Sequence, residues 1–228
     1  MTAPSSSDGL AAVLWDMDGT LVDSEKLWDV ALYETAERLG GRLSEEVRLT
    51  LVGSNMDATS VVLLEATGHE PTPEAVAETG EWIRRRTANL FDDELPWRPG
   101  AREALAAVKA AGLPSALVTS TERALTELAL NTLGRELFTV TVCGDEVDGL
   151  NKPHPRPYLK AAELLGVPPA SCVAVEDSPP GAESAESAGC AVLVVPNDVD
   201  VPAGPRRVFR GSLVGVDAGT LAGVRARL

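Results

Sequence analysis

The run AAVLWDMDGT at residues 11–20 restricts the fold more than any other stretch of the chain. Five apolar residues, Ala11 to Trp15, are followed at once by Asp16 and, one residue later, by Asp18. A short unbroken apolar run suits a strand covered on both faces, as in the middle of a parallel sheet. Two acids at the end of such a strand need a reason, and in an open α/β sheet the carboxyl ends of the strands are where ligands gather. The Asp18-Gly19 pair could instead make a hairpin turn, but TLVDSE continues as a helix rather than a returning strand.

The remainder after residue 97 repeats this logic. Helical patterns alternate with short runs rich in Val, Leu and Ala, as in successive βα units. Strands are expected at Leu117–Val118, Thr139–Cys143, Cys172–Val175 and Ala191–Val195, with helices following Pro99-Gly100 through about Ala111, from about Glu122 to Leu133 and from Pro157 to Leu165. Gly112, Gly134 and Gly166 follow those three helices, where a left-handed residue ends a helix without a Cβ penalty. Residues 24–95 differ: three long helical patterns, Ser24–Leu39, Met56–Ala66 and Pro73–Leu90, have no convincing strand between them. The sequence therefore predicts a doubly wound, Rossmann-like parallel sheet over residues 10–23 and 96–228, an all-helical cap inserted over 24–95, and a flexible tail over 1–9. FDDELPWRPG, with two prolines and a glycine, is expected to be the returning hinge.

Composition sets limits on partners. The 34 acidic against 20 basic residues give a formal charge of -14, which argues against nonspecific binding to nucleic acid or an anionic membrane. An anionic substrate then needs local positive charge or a metal. MTAPSSSDG lacks the features of a signal peptide, and no apolar run approaches the length of a membrane span. Cys143, Cys172 and Cys190 lie in apolar settings without CxxC spacing, as expected of small buried residues in a reducing compartment, and a cytoplasmic location is expected. The sequence leaves the oligomeric state open.

The expected strand ends bring together Asp16 and Asp18, Thr119 and Ser120, and Glu176 and Asp177, with Lys152 in the stiff loop NKPHPRP. Four carboxylates face one lysine. Unit charges about 4 Å apart repel by roughly 4 kcal/mol at an effective dielectric near 20, so the cluster implies a cation. Carboxylate and carbonyl oxygens, with room for water and a phosphate oxygen, match Mg²⁺.

DMDGT, Thr119 after its apolar strand, Lys152 in NKPHP and the acids of VAVEDSPPG together resemble, in order, the four motifs of the haloacid dehalogenase superfamily. With a helical insert straight after the first motif, the chain is similar to the branch of β-phosphoglucomutases and sugar or polyol phosphatases. The resemblance implies a phosphatase for small phosphorylated metabolites in which Asp16 is the nucleophile that forms an aspartyl phosphate and Asp18 the general acid and base. It implies that Thr119, the Ser120 amide and Lys152 hold the phosphoryl group. It also implies that Asp16, the main-chain carbonyl of Asp18 and Asp177 bind Mg²⁺, with Glu176 behind them or as an occasional ligand.

The resemblance also orders the alternatives. Dehalogenation needs neither Asp18 nor a metal, and phosphonate cleavage needs a cap lysine where this insert has only Lys26, near its start. β-Phosphoglucomutase-like sequences carry a histidine where this chain has Trp28 and an arginine near Met56, so transfer to water is expected here. DSE followed by LW resembles the sugar phosphatase group, with Lys26 in place of a frequent proline. Phosphoglycolate phosphatase and an idle phosphometabolite-binding module are the other readings. Trp28, Asn55 and Met56 are candidate selectivity residues, Trp28 being equally suited to the cap core. Thr119 and Ser120 could also cap the next helix. His69 and His154 are expected to be loop residues, and Arg84 to Arg86 a solvated face.

Overall fold

The first strand, β1 (Ala12–Trp15), is buried along its whole length. It pairs in parallel with β2 (Ser115–Val118) on one side and β4 (Cys172–Glu176) on the other, so neither its edges nor its faces meet water. Beyond β2 lies β3 (Val140–Val142), and beyond β4 come β5 (Ala191–Val194) and β6 (Arg207–Phe209). The order β3-β2-β1-β4-β5-β6, all parallel, is a Rossmann-like doubly wound sheet. The computed structural model describes residues 9–91 and 95–227. The expected tail, apart from Gly9, and residues 92–94 of the expected hinge lie outside the described residues.

Over residues 24–91 the chain makes four helices without an intervening strand: α1 (Glu25–Arg38), α2 (Glu45–Thr50), α3 (Met56–Ala66) and α4 (Pro73–Leu90). Ser44, Asn55 and Thr72 cap the last three by accepting backbone N–H bonds, and Pro73 fits the first turn of α4, where its missing N–H costs nothing. Leu32, Ala36, Leu51, Leu63 and Ile83 form an apolar centre for this helical insert. The two connections to the sheet run beside each other. Val22 and Trp97 form an antiparallel bridge, Asp23 N–H donates to the Pro96 carbonyl at 2.7 Å, and Arg98 N–H donates to the Leu21 carbonyl at 2.9 Å.

After the insert come α5 (Ala101–Ala110), α6 (Arg123–Leu133), α7 (Arg156–Leu165), α8 (Pro179–Ser187) and α9 (Ala218–Ala226). Strand side chains alternate between two cores: Val13, Trp15, Leu117 and Val175 pack with α5, α6 and α9, while Leu14, Val118, Ala174 and Val192 pack with α7 and α8. Leu125 of α6 belongs instead to the core of the insert, which is how the insert grips the sheet domain. Cys143, Cys172 and Cys190 are buried and unpaired.

Four elements are additional to those expected. Helix α2 is a six-residue turn, too short to show a period. Helix α8 begins Pro179-Pro180-Gly181, which reads as a loop until Ser178 is seen to accept the Gly181 N–H at 3.2 Å. Strand β6 is a partly exposed three-residue edge with no apolar run, and α9 starts from an Asp217 cap after a glycine-rich segment.

Candidate active site

Parallel pairing carries β1, β2 and β4 to one rim and ends them together. Asp16 follows β1 directly, its N–H bonded to the Val175 carbonyl at 3.0 Å, while Glu176 and Asp177 follow Val175 on the adjacent strand. Lys152 comes to the same point from the loop before α7. Its Nζ donates to Asp16 Oδ1 at 2.6 Å, to Glu176 Oε1 at 2.6 Å and to the Val118 carbonyl at 3.0 Å. All three ammonium protons therefore have acceptors. Asp16 is 6% exposed and Glu176 fully buried, so this ion pairing is screened little by water.

One lysine does not neutralise the cluster. Carboxylate oxygens of Asp16, Glu176 and Asp177 lie within 4.8 Å of one another. Burial, and then the charge of Glu176, raises the Asp16 carboxyl to about 7 even with Lys152 pulling it down. Burial and the charges of Asp16 and Glu176 raise Asp177 well above the usual carboxylate range, and Thr20 Oγ1, donating to Asp177 Oδ1 at 3.1 Å, is the opposing influence. A hard divalent cation is what such an oxygen donor set fits. Asn197 adds a second sign of a polar species at this corner: its buried Nδ2 has no partner among the described residues, and it lies beside the Gly19 turn that touches Asp177. Gly19 has φ +80°, and a Cβ there would stand 2.1 Å from Asp177 Oδ2, so the turn after the two aspartates admits only glycine.

Glu176 is fixed from behind. Its Oε1 accepts from Lys152 and from the Tyr158 hydroxyl at 2.5 Å, and its Oε2 accepts from Ser178 Oγ at 3.2 Å. Gly181 makes room for it, since a Cβ at that position would lie 2.1 Å from the carboxylate. Tyr158, Ser178 and Gly181 were invisible as site residues in the sequence, because Tyr158 reads as one more apolar position of α7.

Asp18 is held by two donors on each oxygen: Ser24 Oγ at 2.6 Å and Trp28 Nε1 at 3.0 Å on Oδ1, and Thr121 Oγ1 at 2.7 Å and Thr119 Oγ1 at 3.3 Å on Oδ2. Trp28 packs edge-on against Phe91 at 6.0 Å while its indole N–H reaches Asp18. Thr119 accepts the Thr121 N–H, but Thr119 and Ser120 do not cap α6. The residue before that helix is Glu122, and Ser120 Oγ instead donates across to the Gly53 carbonyl of the insert at 3.2 Å. Thr121 and Ser24 are two further positions that sequence reasoning missed; hydroxyls beside a candidate acid were the available signal.

The insert roofs this rim and leaves a cavity of about 60 Å³, small beside the roughly 300–1,000 Å³ of a typical small-molecule pocket. Trp28 and Met56 line it; Asn55 does not, its Oδ1 being used to cap α3. Arg84 is not a purely solvated arginine, because it holds Glu122 at 2.5 and 3.0 Å and so ties α4 to the start of α6. Arg48 makes a second tie, with Nε on Asp29 at 2.5 Å and Nη2 on Asp198 at 2.7 Å. His69 and His154 are exposed, as expected. No described helix is long and apolar enough to cross a membrane.

A family model for haloacid dehalogenase-like hydrolases matches residues 10–189. Hexitol phosphatase B of Escherichia coli K12 is 32% identical over 190 residues, covering 82% of this chain and 84% of that protein. A phosphorylated carbohydrates phosphatase of Thermotoga maritima is 35% identical over 181 residues, covering 79% and 82%. Among solved structures, a CbbY variant from Rhodobacter sphaeroides in complex with xylulose-(1,5)bisphosphate superimposes with a TM-score of 0.78 at 29% identity, covering 90% of this chain and 96% of that one. With the six-stranded parallel sheet, the helical insert and a match spanning most of its length, this chain belongs to the haloacid dehalogenase-like hydrolases.

Proposed function

We propose that the protein is a Mg²⁺-dependent phosphatase that hydrolyses small phosphomonoesters, of the sugar or polyol phosphate class, through an aspartyl phosphate on Asp16. The observation that carries this reading is the single ammonium shared by Asp16 and Glu176 at 2.6 Å each, at a rim where Asp177 adds a further buried carboxylate. Lys152 holds Oδ1 of Asp16 and leaves Oδ2 to meet phosphorus. The names of the two phosphatase relatives agree with that reading.

Asp16 attacks phosphorus, a new P–O bond forms to its carboxylate, and the bond to the alcohol oxygen breaks. Asp18 gives its proton to the departing alcohol and then takes one from the water that cleaves the acyl phosphate, which releases inorganic phosphate and restores Asp16. The donors on Asp18 orient it for both transfers. Thr119 and the Ser120 amide stabilise the phosphoryl oxygens as charge moves onto them, and Lys152, its protons already placed, contributes its charge alone. Asp16, Asp177 and the carbonyl of Asp18 would hold Mg²⁺, whose charge offsets that of the phosphoryl group and of the carboxylates themselves. Glu176, occupied by Lys152, Tyr158 and Ser178, acts by positioning the lysine.

Residues 24–95 are proposed as a lid over a core formed by residues 10–23 and 96–228. The small cavity supports this: a sugar-sized ester reaches Asp16 only when the insert moves away, about the paired segments at 21–23 and 95–98. Mutase-type transfer is less well supported, because Lys152 is the one cationic side chain lining the cavity among the described residues, and its protons are all taken. The purified protein is expected to turn over an aryl phosphate with Mg²⁺, and both EDTA and Asp16→Asn are expected to stop it. Turnover that survives either treatment would overturn the proposal.

A further inference from the structure

The chain that leaves β5 runs beside the chain that leaves β4. Val194 stands in register with Glu176, and Val195 N–H donates to the Glu176 carbonyl at 2.7 Å. Two residues further on, Asn197 reaches the corner where Asp177 sits. A Cβ on Gly19 would stand 2.1 Å from Asp177 Oδ2 and 3.3 Å from Asn197 Nδ2, so both side chains close on one glycine turn. Asp198, next in the chain, accepts from Arg48 at 2.7 Å and anchors the same loop to the insert.

The two side chains are complementary, yet they are not hydrogen-bonded to each other. Asn197 Nδ2 is buried and has no acceptor among the described residues. Asp177 Oδ1 accepts from Thr20 at 3.1 Å, whereas Oδ2 has no donor among the described residues. An ionised carboxylate only accepts, and an amide nitrogen only donates. A buried amide donor without an acceptor costs stability, and a leucine of similar size would sit in the same place without that cost. The amide therefore needs a reason. A carboxylate that ligates a hard cation is ionised, and the hydrogen bonds behind such a ligand tune the affinity of the metal.

On the Mg²⁺ reading above, we infer that Asn197 is a positioning residue for the cation, its Nδ2 donating to Asp177 Oδ2 when that carboxylate serves as a ligand. Thr20 and Asn197 then hold one oxygen each. Thr20 is already bonded in the metal-free chain, while the Asn197 amide finds its acceptor only when Asp177 carries its charge toward the cation. Asn197 touches neither the phosphoryl group nor the leaving alcohol in this scheme. It acts through Asp177, so its effect falls on cation affinity.

The test compares the wild-type protein with Asn197→Leu by calorimetric titration with MgCl₂ and by melting with and without Mg²⁺. The variant is expected to raise the Mg²⁺ dissociation constant by about 10- to 100-fold, and its melting temperature is expected to rise less on adding Mg²⁺. Without Mg²⁺ it is expected to melt at the wild-type temperature or above it, because the orphaned donor is gone. Turnover of p-nitrophenyl phosphate is expected to fall more at limiting than at saturating Mg²⁺. An unchanged dissociation constant overturns the inference. So does a variant that fails to fold or melts well below the wild type without Mg²⁺, which would give Asn197 a role in the fold itself, and so does equal loss of turnover at limiting and saturating Mg²⁺. Absence of Mg²⁺ binding by the wild-type protein would instead remove the cation reading on which the inference stands.

Discussion

Lys152 Nζ and Asp16 Oδ1 lie 2.6 Å apart although 136 positions separate them in sequence. The pair is buried, and Glu176 shares the same ammonium. Removing one member of a buried ion pair strands the others, at a cost of about 3–5 kcal/mol. Lys152→Ala is therefore expected to lower the urea midpoint markedly and to reduce turnover by about 10³ or more. A variant with near-native stability would show that the carboxylates do not depend on the lysine.

In the proposed mechanism Asp18 supplies the proton to the leaving alcohol, so its value depends on how much the leaving group needs one. Asp18→Asn is expected to slow an alkyl phosphate by about 10²–10⁴, and p-nitrophenyl phosphate, whose leaving group is stable as an anion, much less. Equal slowing of both esters in steady-state assays would assign Asp18 to binding instead. Trp28→Phe keeps the ring beside Phe91 but deletes the donor to Asp18, and is expected to lower kcat about tenfold.

The contact between Arg48 and Asp198 joins the insert to the loop after β5, and the opening proposed for the insert would break it. Asp198 is partly exposed, so the pair is worth about 1 kcal/mol. Asp198→Asn is then expected to raise KM roughly fivefold by weakening closure, with the melting temperature little changed. A change in kcat alone, with KM unmoved, would place the contact outside the closing motion.

Burial, and then the charge of Asp18, pushes the Glu25 carboxyl up to about 8, whereas an unfolded glutamate titrates at about 4.3. Between those values the folded chain keeps a proton that the unfolded chain has released. The stability this group contributes is therefore full below about 4 and declines as pH rises toward about 8. Denaturation of Glu25→Gln across pH 5 to 8 is expected to show a shallower loss of stability than the wild-type protein. Parallel profiles would contradict the assignment.

Much of this was legible in the chain. The apolar runs of β1, β4 and β5 specify a two-sided sheet, and the residues that end β1 and β4 are the ones the structure brings within reach of Lys152. What escaped depends on short elements and on contacts between distant segments. The edge strand β6 has no buried face to impose a pattern, and the two prolines at the start of α8 hide a helix whose first turn needs no N–H there. Arg48 joins Asp29 of the insert to Asp198 beyond β5, a contact that no local spacing reveals.

The central claim is that Asp16 itself receives the phosphoryl group. Acid-quenching the protein during turnover of a radiolabelled sugar phosphate with Mg²⁺, then mapping the label by peptide mass spectrometry, tests it most directly. Label on the Asp16 carboxylate, absent in Asp16→Asn, is the expected result. Steady turnover with no label on Asp16 at any quench time, or turnover retained by Asp16→Asn, would contradict the account.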